Sequence, residues 1–91
     1  MPSIWAETLE EHRALVLGRL LDAFAELLQE RGLEAITIAA VAERAGIARS
    51  AVYNHVGDKH DLLVAHAERL LRRATEDLRR RLPPELPARE R

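Results

Sequence analysis

No cysteine occurs in the 91 residues, and glycine and proline number only four each. These shortages exclude a disulfide-stapled fold, a collagen-like chain and a low-complexity one. Long apolar runs are missing too. Nothing approaches the roughly 20 uncharged apolar residues of a membrane span, and Met1 to Leu9 lack the basic start and apolar core of a signal peptide. The expectation is a soluble cytoplasmic protein with no membrane partner. Neither sign of charge prevails, since 14 Lys and Arg stand against 15 Asp and Glu for a net charge of −1. A chain that coats nucleic acid by bulk electrostatics is thereby disfavoured. What remains, 47% hydrophobic and 32% charged, is enough for one small globular domain.

The charge is segregated along the chain. Residues 1–34 hold seven acids and three Arg (−4), residues 35–60 two acids and three bases (+1), and residues 61–82 four acids and six Arg (+2). The tail, 83–91, is neutral, with two of each.

Helical periodicity dominates. Leu17, Leu20, Leu21, Phe24, Leu27 and Leu28 form one face of a helix predicted from Leu9 to Arg31, with Thr8-Leu9-Glu10-Glu11 as its capping box. Asp22, Glu26 and Glu30 run down the opposite side and read as a solvated face. Gly32 supplies the stop. Thr37 is a candidate N-cap for a short helix to Ala45, in which Val41, Ala42 and Ala45 face inward, and Gly46 ends it. A second short helix is predicted from Arg49 to His55, with Ile47, Val52 and Val56 pointing inward. Two short helices joined by a tight turn that starts with Gly form a helix-turn-helix pattern. Asp58, with Asp61 three residues on, caps a last long helix whose apolar stripe is Leu63, Ala67, Leu70, Ala74 and Leu78. Glu68 with Arg72, Glu76 with Arg80 and Asp77 with Arg81 are i,i+4 pairs on it, and Pro83-Pro84 forbids its continuation.

One ordered set of residues carries a resemblance. Leu20 to Gly32, then Thr37, then Val41-Ala42-Glu43-Arg44-Ala45-Gly46-Ile47, then Val52-Tyr53-Asn54-His55-Val56 and Lys59, resembles the DNA-binding domain of the tetracycline-repressor (TetR) family. It covers about Ala14 to Leu71, and the Tyr-x-His pair with a Lys four residues after the His is its most specific part. The expected fold is all-α: a small helical domain with a homeodomain-like, TetR-type helix-turn-helix followed by a long linking helix, over residues 1–82. Residues 83–91 are expected to begin a C-terminal ligand-binding and dimerisation domain.

A recognition helix meets base edges with its amino-terminal residues, which nominates Ala48, Arg49, Ser50 and Asn54, with Arg49 the only long donor. The resemblance implies that Thr37, Tyr53, His55 and Lys59 anchor phosphates; each is a hydrogen-bond donor at or near a helix end. Ile38 and Ala39 are apolar where some family members offer polar base-reading side chains, and Ala48 and Ala51 are small and apolar too, so direct readout rests heavily on Arg49, with thymine methyl contacts and DNA shape in support. The competing role for Tyr53 is a core aromatic with a satisfied hydroxyl. His12, His60 and His66 make no i,i+4 pair with each other or with His55, and without cysteine no metal site or cofactor is expected. No nucleophile and base pair or phosphate-cradling Gly loop appears, so no enzyme is expected. Arg79-Arg80-Arg81 lie about 30 Å along the helix from Lys59 and read as an ion-paired solvent face.

The resemblance implies a transcriptional regulator, a repressor that binds a palindromic double-stranded operator as a homodimer in the bacterial cytoplasm, nucleoid-associated when bound. A small-molecule effector would act through the further domain. The alternative is a helical protein-protein interaction module that uses the last helix and binds no DNA.

Overall fold

The computed structural model describes residues 2–82, with side chains from residue 7 onward. The Trp5 side chain and the residues from Pro83 on, with the expected helix stop and further domain, lie outside what is described. Four α-helices and one 3₁₀ turn follow in order: α1 (Pro2–Arg31), the 3₁₀ turn (Leu33–Ala35), α2 (Ile38–Ala45), α3 (Arg49–Val52) and α4 (Lys59–Arg81). The fold is all-α, as expected.

The core is the predicted face of α1 closed over by the two short helices. Leu20, Phe24 and Leu27 of α1 are buried against Ile36, Val41, Val52 and Leu62. Ala42, Ala45 and Val56 complete the packing, with Ile47 seated on its edge. The Phe24 ring meets His66 of α4 edge-on, with centroids 5.6 Å apart and planes at 66°.

Helix α1 starts seven residues before the predicted Leu9. Pro2 opens it, where a missing N–H costs nothing, and Ile4 to Glu7 contain nothing that breaks a helix. The Thr8–Glu11 capping box therefore falls inside the helix and starts nothing. At the other end Gly32 takes φ 81°, a left-handed value that any side chain would strain.

Helix α2 is bounded as its residues dictate. The Thr37 hydroxyl accepts the Ala40 N–H at 3.1 Å. Gly46, at φ 73° and ψ 34°, ends the helix with its N–H on the Glu43 carbonyl at 3.2 Å, while the Ile47 N–H reaches the Ala42 carbonyl at 3.0 Å. This paired closure is a Schellman motif, and Ile47 supplies its apolar contact.

Helix α3 is shorter than expected. Regular winding stops at Val52, and residues 53–55 continue as tight turns, with the Asn54 N–H on Ala51 and the His55 N–H on Val52. Bonds to the third residue back replace those to the fourth as buried Val56 draws the chain into the core.

Helix α4 carries the capping pair read from the sequence. The Asp58 carboxylate accepts the Asp61 N–H at 3.0 Å, and the Asp61 carboxylate accepts the Gly57 N–H at 2.7 Å. Replacement Asp58→Ala is expected to lower stability by about 0.5–2 kcal/mol, and Asp58→Asn by much less, on thermal or urea unfolding.

The predicted stripe of α4 is overturned. The helix is anchored through Leu62, with Leu63 and Ala65 at the margin, whereas Leu70 and Leu78 are 50% and 58% exposed and Ala67 and Ala74 also face outward. Beyond Arg69 the helix leaves the body of the domain. The Cα radius of gyration is accordingly 17.2 Å, against about 12 Å for a compact chain of this length.

Candidate nucleic-acid interface

The buried side chains of the helix-turn-helix leave its polar ones outside. Ala48, Arg49 and Ser50 are exposed at the start of α3, and Asn54 is exposed in the turns that follow it. Tyr53 is 48% exposed, which removes the core-aromatic alternative. Exposed Thr37 stands at the start of α2, its hydroxyl oxygen occupied by the cap and its O–H still able to donate. His55 is half-buried beneath the end of α3.

Lys59 is held more tightly than the sequence indicates. Its ammonium donates to the Leu33 carbonyl at 2.9 Å, which ties the start of α4 to the 3₁₀ turn just before Thr37. One donor of three is spent on this bond, and two remain for an anion. A bond spanning 26 residues thus fixes the start of α4 against the turn that leads into α2.

Three arginines outside the nominated set position this surface. Arg19 of α1 donates to the Ala45 carbonyl at 2.8 Å, so a cation meets the carbonyl end of α2 just before the turn. A Cβ on Gly46 would stand 3.3 Å from the same guanidinium. Arg44 of α2 bridges Glu26 at 3.0 Å and Glu30 at 2.9 Å, and Arg69 of α4 reaches Asp22 at 2.9 Å. The acid row of α1, expected to be merely solvated, is therefore the rail on which α2 and α4 are latched. Its spacing of four residues is visible in the sequence, but its partners come from other segments. Of the three i,i+4 pairs expected on α4, Asp77 with Arg81 forms, at 3.2 Å.

The Arg44 hydrogen bond holds the Glu30 carboxyl below its ordinary 4.5, and the same contact raises the Arg44 guanidinium above its usual range. A carboxyl depressed on folding contributes stability that is present above its unfolded value and lost as pH falls through the folded one. The melting temperature should therefore drop as pH is lowered from about 5 towards 3. Glu30→Gln and Arg44→Ala should flatten that drop slightly, the pair being exposed and screened by salt. Identical acid profiles for parent and variants would refute the latch.

Among the described residues no group of three His, Asp or Glu side chains is arranged to hold a metal, and no helix is long and apolar enough to cross a membrane.

Comparison with known proteins agrees with this geometry. The family model described as bacterial regulatory proteins, tetR family, matches residues 20–66, from the first core leucine of α1 to the His66 contact in α4. The HTH-type transcriptional regulator AlkX of Mycobacterium tuberculosis (strain ATCC 25618 / H37Rv) is 39% identical over 69 residues, which cover 76% of this chain and 33% of that protein. The chain thus spans about a third of the length of this relative. No solved structure matches significantly. With the matched segment coinciding with the packed helices and the turn between them, the chain belongs to the tetR family of bacterial regulatory proteins.

Proposed function

We propose that this domain is the reading head of a sequence-specific DNA-binding transcriptional regulator. The observation that carries the proposal is the division of α3 and its turns: Val52 and Val56 are sunk in the core while Arg49, Ser50, Tyr53 and Asn54 stand exposed on one short stretch. In this assignment Arg49 reads guanine, with Ala48, Ser50 and Asn54 against neighbouring base edges. Thr37, Tyr53, His55 and Lys59 hold the flanking phosphates. Family membership supports this function, and the Lys59 bond to Leu33 supports a preorganised anchor.

The finer assignment is a homodimeric repressor on a palindromic operator, released by a small molecule bound in a further domain. The outward apolar face of α4, with Leu70 and Leu78 exposed, supports its role as the link to other parts of such an assembly. Because two linked heads raise effective concentration, a single head alone should bind weakly. Few cations stand among the nominated residues, so each head should show a shallow salt dependence.

Selection of bound DNA from a random pool with the full-length protein tests the proposal. Enrichment of one palindromic sequence is the expected outcome. Absence of any enrichment would favour a helical interaction module instead, in which case Arg49→Ala with Tyr53→Phe would leave partner binding unchanged.

A further inference from the structure

A groove of about 430 Å³ runs between the amino-terminal half of α1 and the end of the helix-turn-helix. His12 and Arg13 line it from α1, and Asn54 and His55 line it from the turns after α3. Leu9, Val16 and Ile47 give it an apolar lining. No carboxylate enters it. The acids of this part of α1, Glu7, Glu10 and Glu11, line a separate hollow with Ala14, on the nearly opposite side of the helix at 3.6 residues per turn. Charge is therefore sorted around α1 as well as along the chain, with the cation turned towards the proposed reading head.

We propose that this groove receives the sugar-phosphate backbone of DNA, with Arg13 donating to a phosphate next to the one assigned to His55. Helix α1 then becomes a third DNA-contacting element beside the helix-turn-helix and the start of α4. The proposal rests on the reading-head assignment and extends it. Two observations select the occupant. The groove shares Asn54 and His55 with the nominated surface, so it continues that surface as far as Arg13. Its chemistry is also divided: cationic and neutral donors suit a phosphodiester, while Leu9 and Val16 suit the C–H face of a deoxyribose. A free inorganic anion would use only the first half.

The salt dependence of DNA affinity tests this in the full-length protein at fixed pH. Each phosphate contact contributes about −0.9 to the slope of log K against log salt. Arg13→Ala should therefore reduce the slope by about 0.9 per reading head. Its affinity per head should be about eightfold below the parent's at 0.1 M salt and converge on it towards 1 M. The loss should be equal on selected and on unrelated DNA, because phosphate contacts carry no sequence information. Arg13→Lys should restore the slope. Arg13 is exposed, so the circular dichroism of both variants should match the parent's. If the parent binds DNA and Arg13→Ala keeps its slope, the groove proposal falls and the reading head stands. A parent that binds no DNA at any salt takes down both.

Discussion

Phe24→Ala is expected to cost about 3–5 kcal/mol, enough to consume much of the stability of a domain this small. The side chain is fully buried, touches the core formed by all four helices, and presents its face or edge to His66 across the α1–α4 contact. Truncation removes the transfer energy of the ring and leaves a cavity that rigid helices cannot close. Loss of the edge-on ring pair adds to the deficit. A chain of 91 residues is expected to hold about 5–14 kcal/mol in total, with the lower end favoured where only about two thirds of the unfolded surface is buried. Urea unfolding should show the midpoint lowered by roughly 2 M at unchanged slope. A loss below about 1 kcal/mol would mean that the α1–α4 contact is not packed as described.

Arg49→Ala should leave folding intact and weaken binding to the selected operator by about 5- to 150-fold, the equivalent of 1–3 kcal/mol for a bidentate contact to guanine. Exposure of the side chain at the start of α3 separates this effect from stability. Ala48 and Ala51 offer no polar reach and the short Ser50 hydroxyl cannot make a two-donor contact, so no neighbour replaces the guanidinium. Affinity for unrelated DNA should fall far less, since one phosphate-range cation at most is removed. The discriminating measurement is anisotropy on the operator and on variants with the guanine replaced. Parent and variant should differ on the first and agree on the second. Equal affinity of parent and Arg49→Ala for the operator would contradict the assignment of Arg49 as the principal reader.

Much of the fold was legible because its determinants are local. The α2 boundaries follow from a Thr hydroxyl three residues before the amide it caps and from a glycine free to adopt a left-handed φ. The Asp58–Asp61 pair announces α4 in the same way. The start of α1 was not legible, because a capping box is a permissive signal: it opens a helix only where the preceding residues refuse to be helical, and here they do not. The end of α3 depended on Val56 being pulled into the core, a demand made from outside the segment.

The nominated residues Arg49, Ser50, Asn54 and Tyr53 follow each other within six positions of one turn-and-helix, so their common exposure could be anticipated. The groove at Arg13 could not. That arginine lies 36 residues before Arg49, in the segment of charge −4, and only the packing of α1 against the helix-turn-helix places it beside His55.

By itself, then, the chain's order of apolar and capping residues determined four helices, the turn between the two short ones, and the inward-facing residues of α1, α2 and α3. Those are matters of spacing within about four residues, where backbone hydrogen bonds and side-chain direction act. Tertiary structure alone decided that α4 is anchored through Leu62 and that the acids of α1 latch Arg44 and Arg69. It alone decided that Lys59 is tied to Leu33. Each of these depends on contacts between segments distant in sequence, and charge or hydrophobicity in one segment does not specify its partner in another.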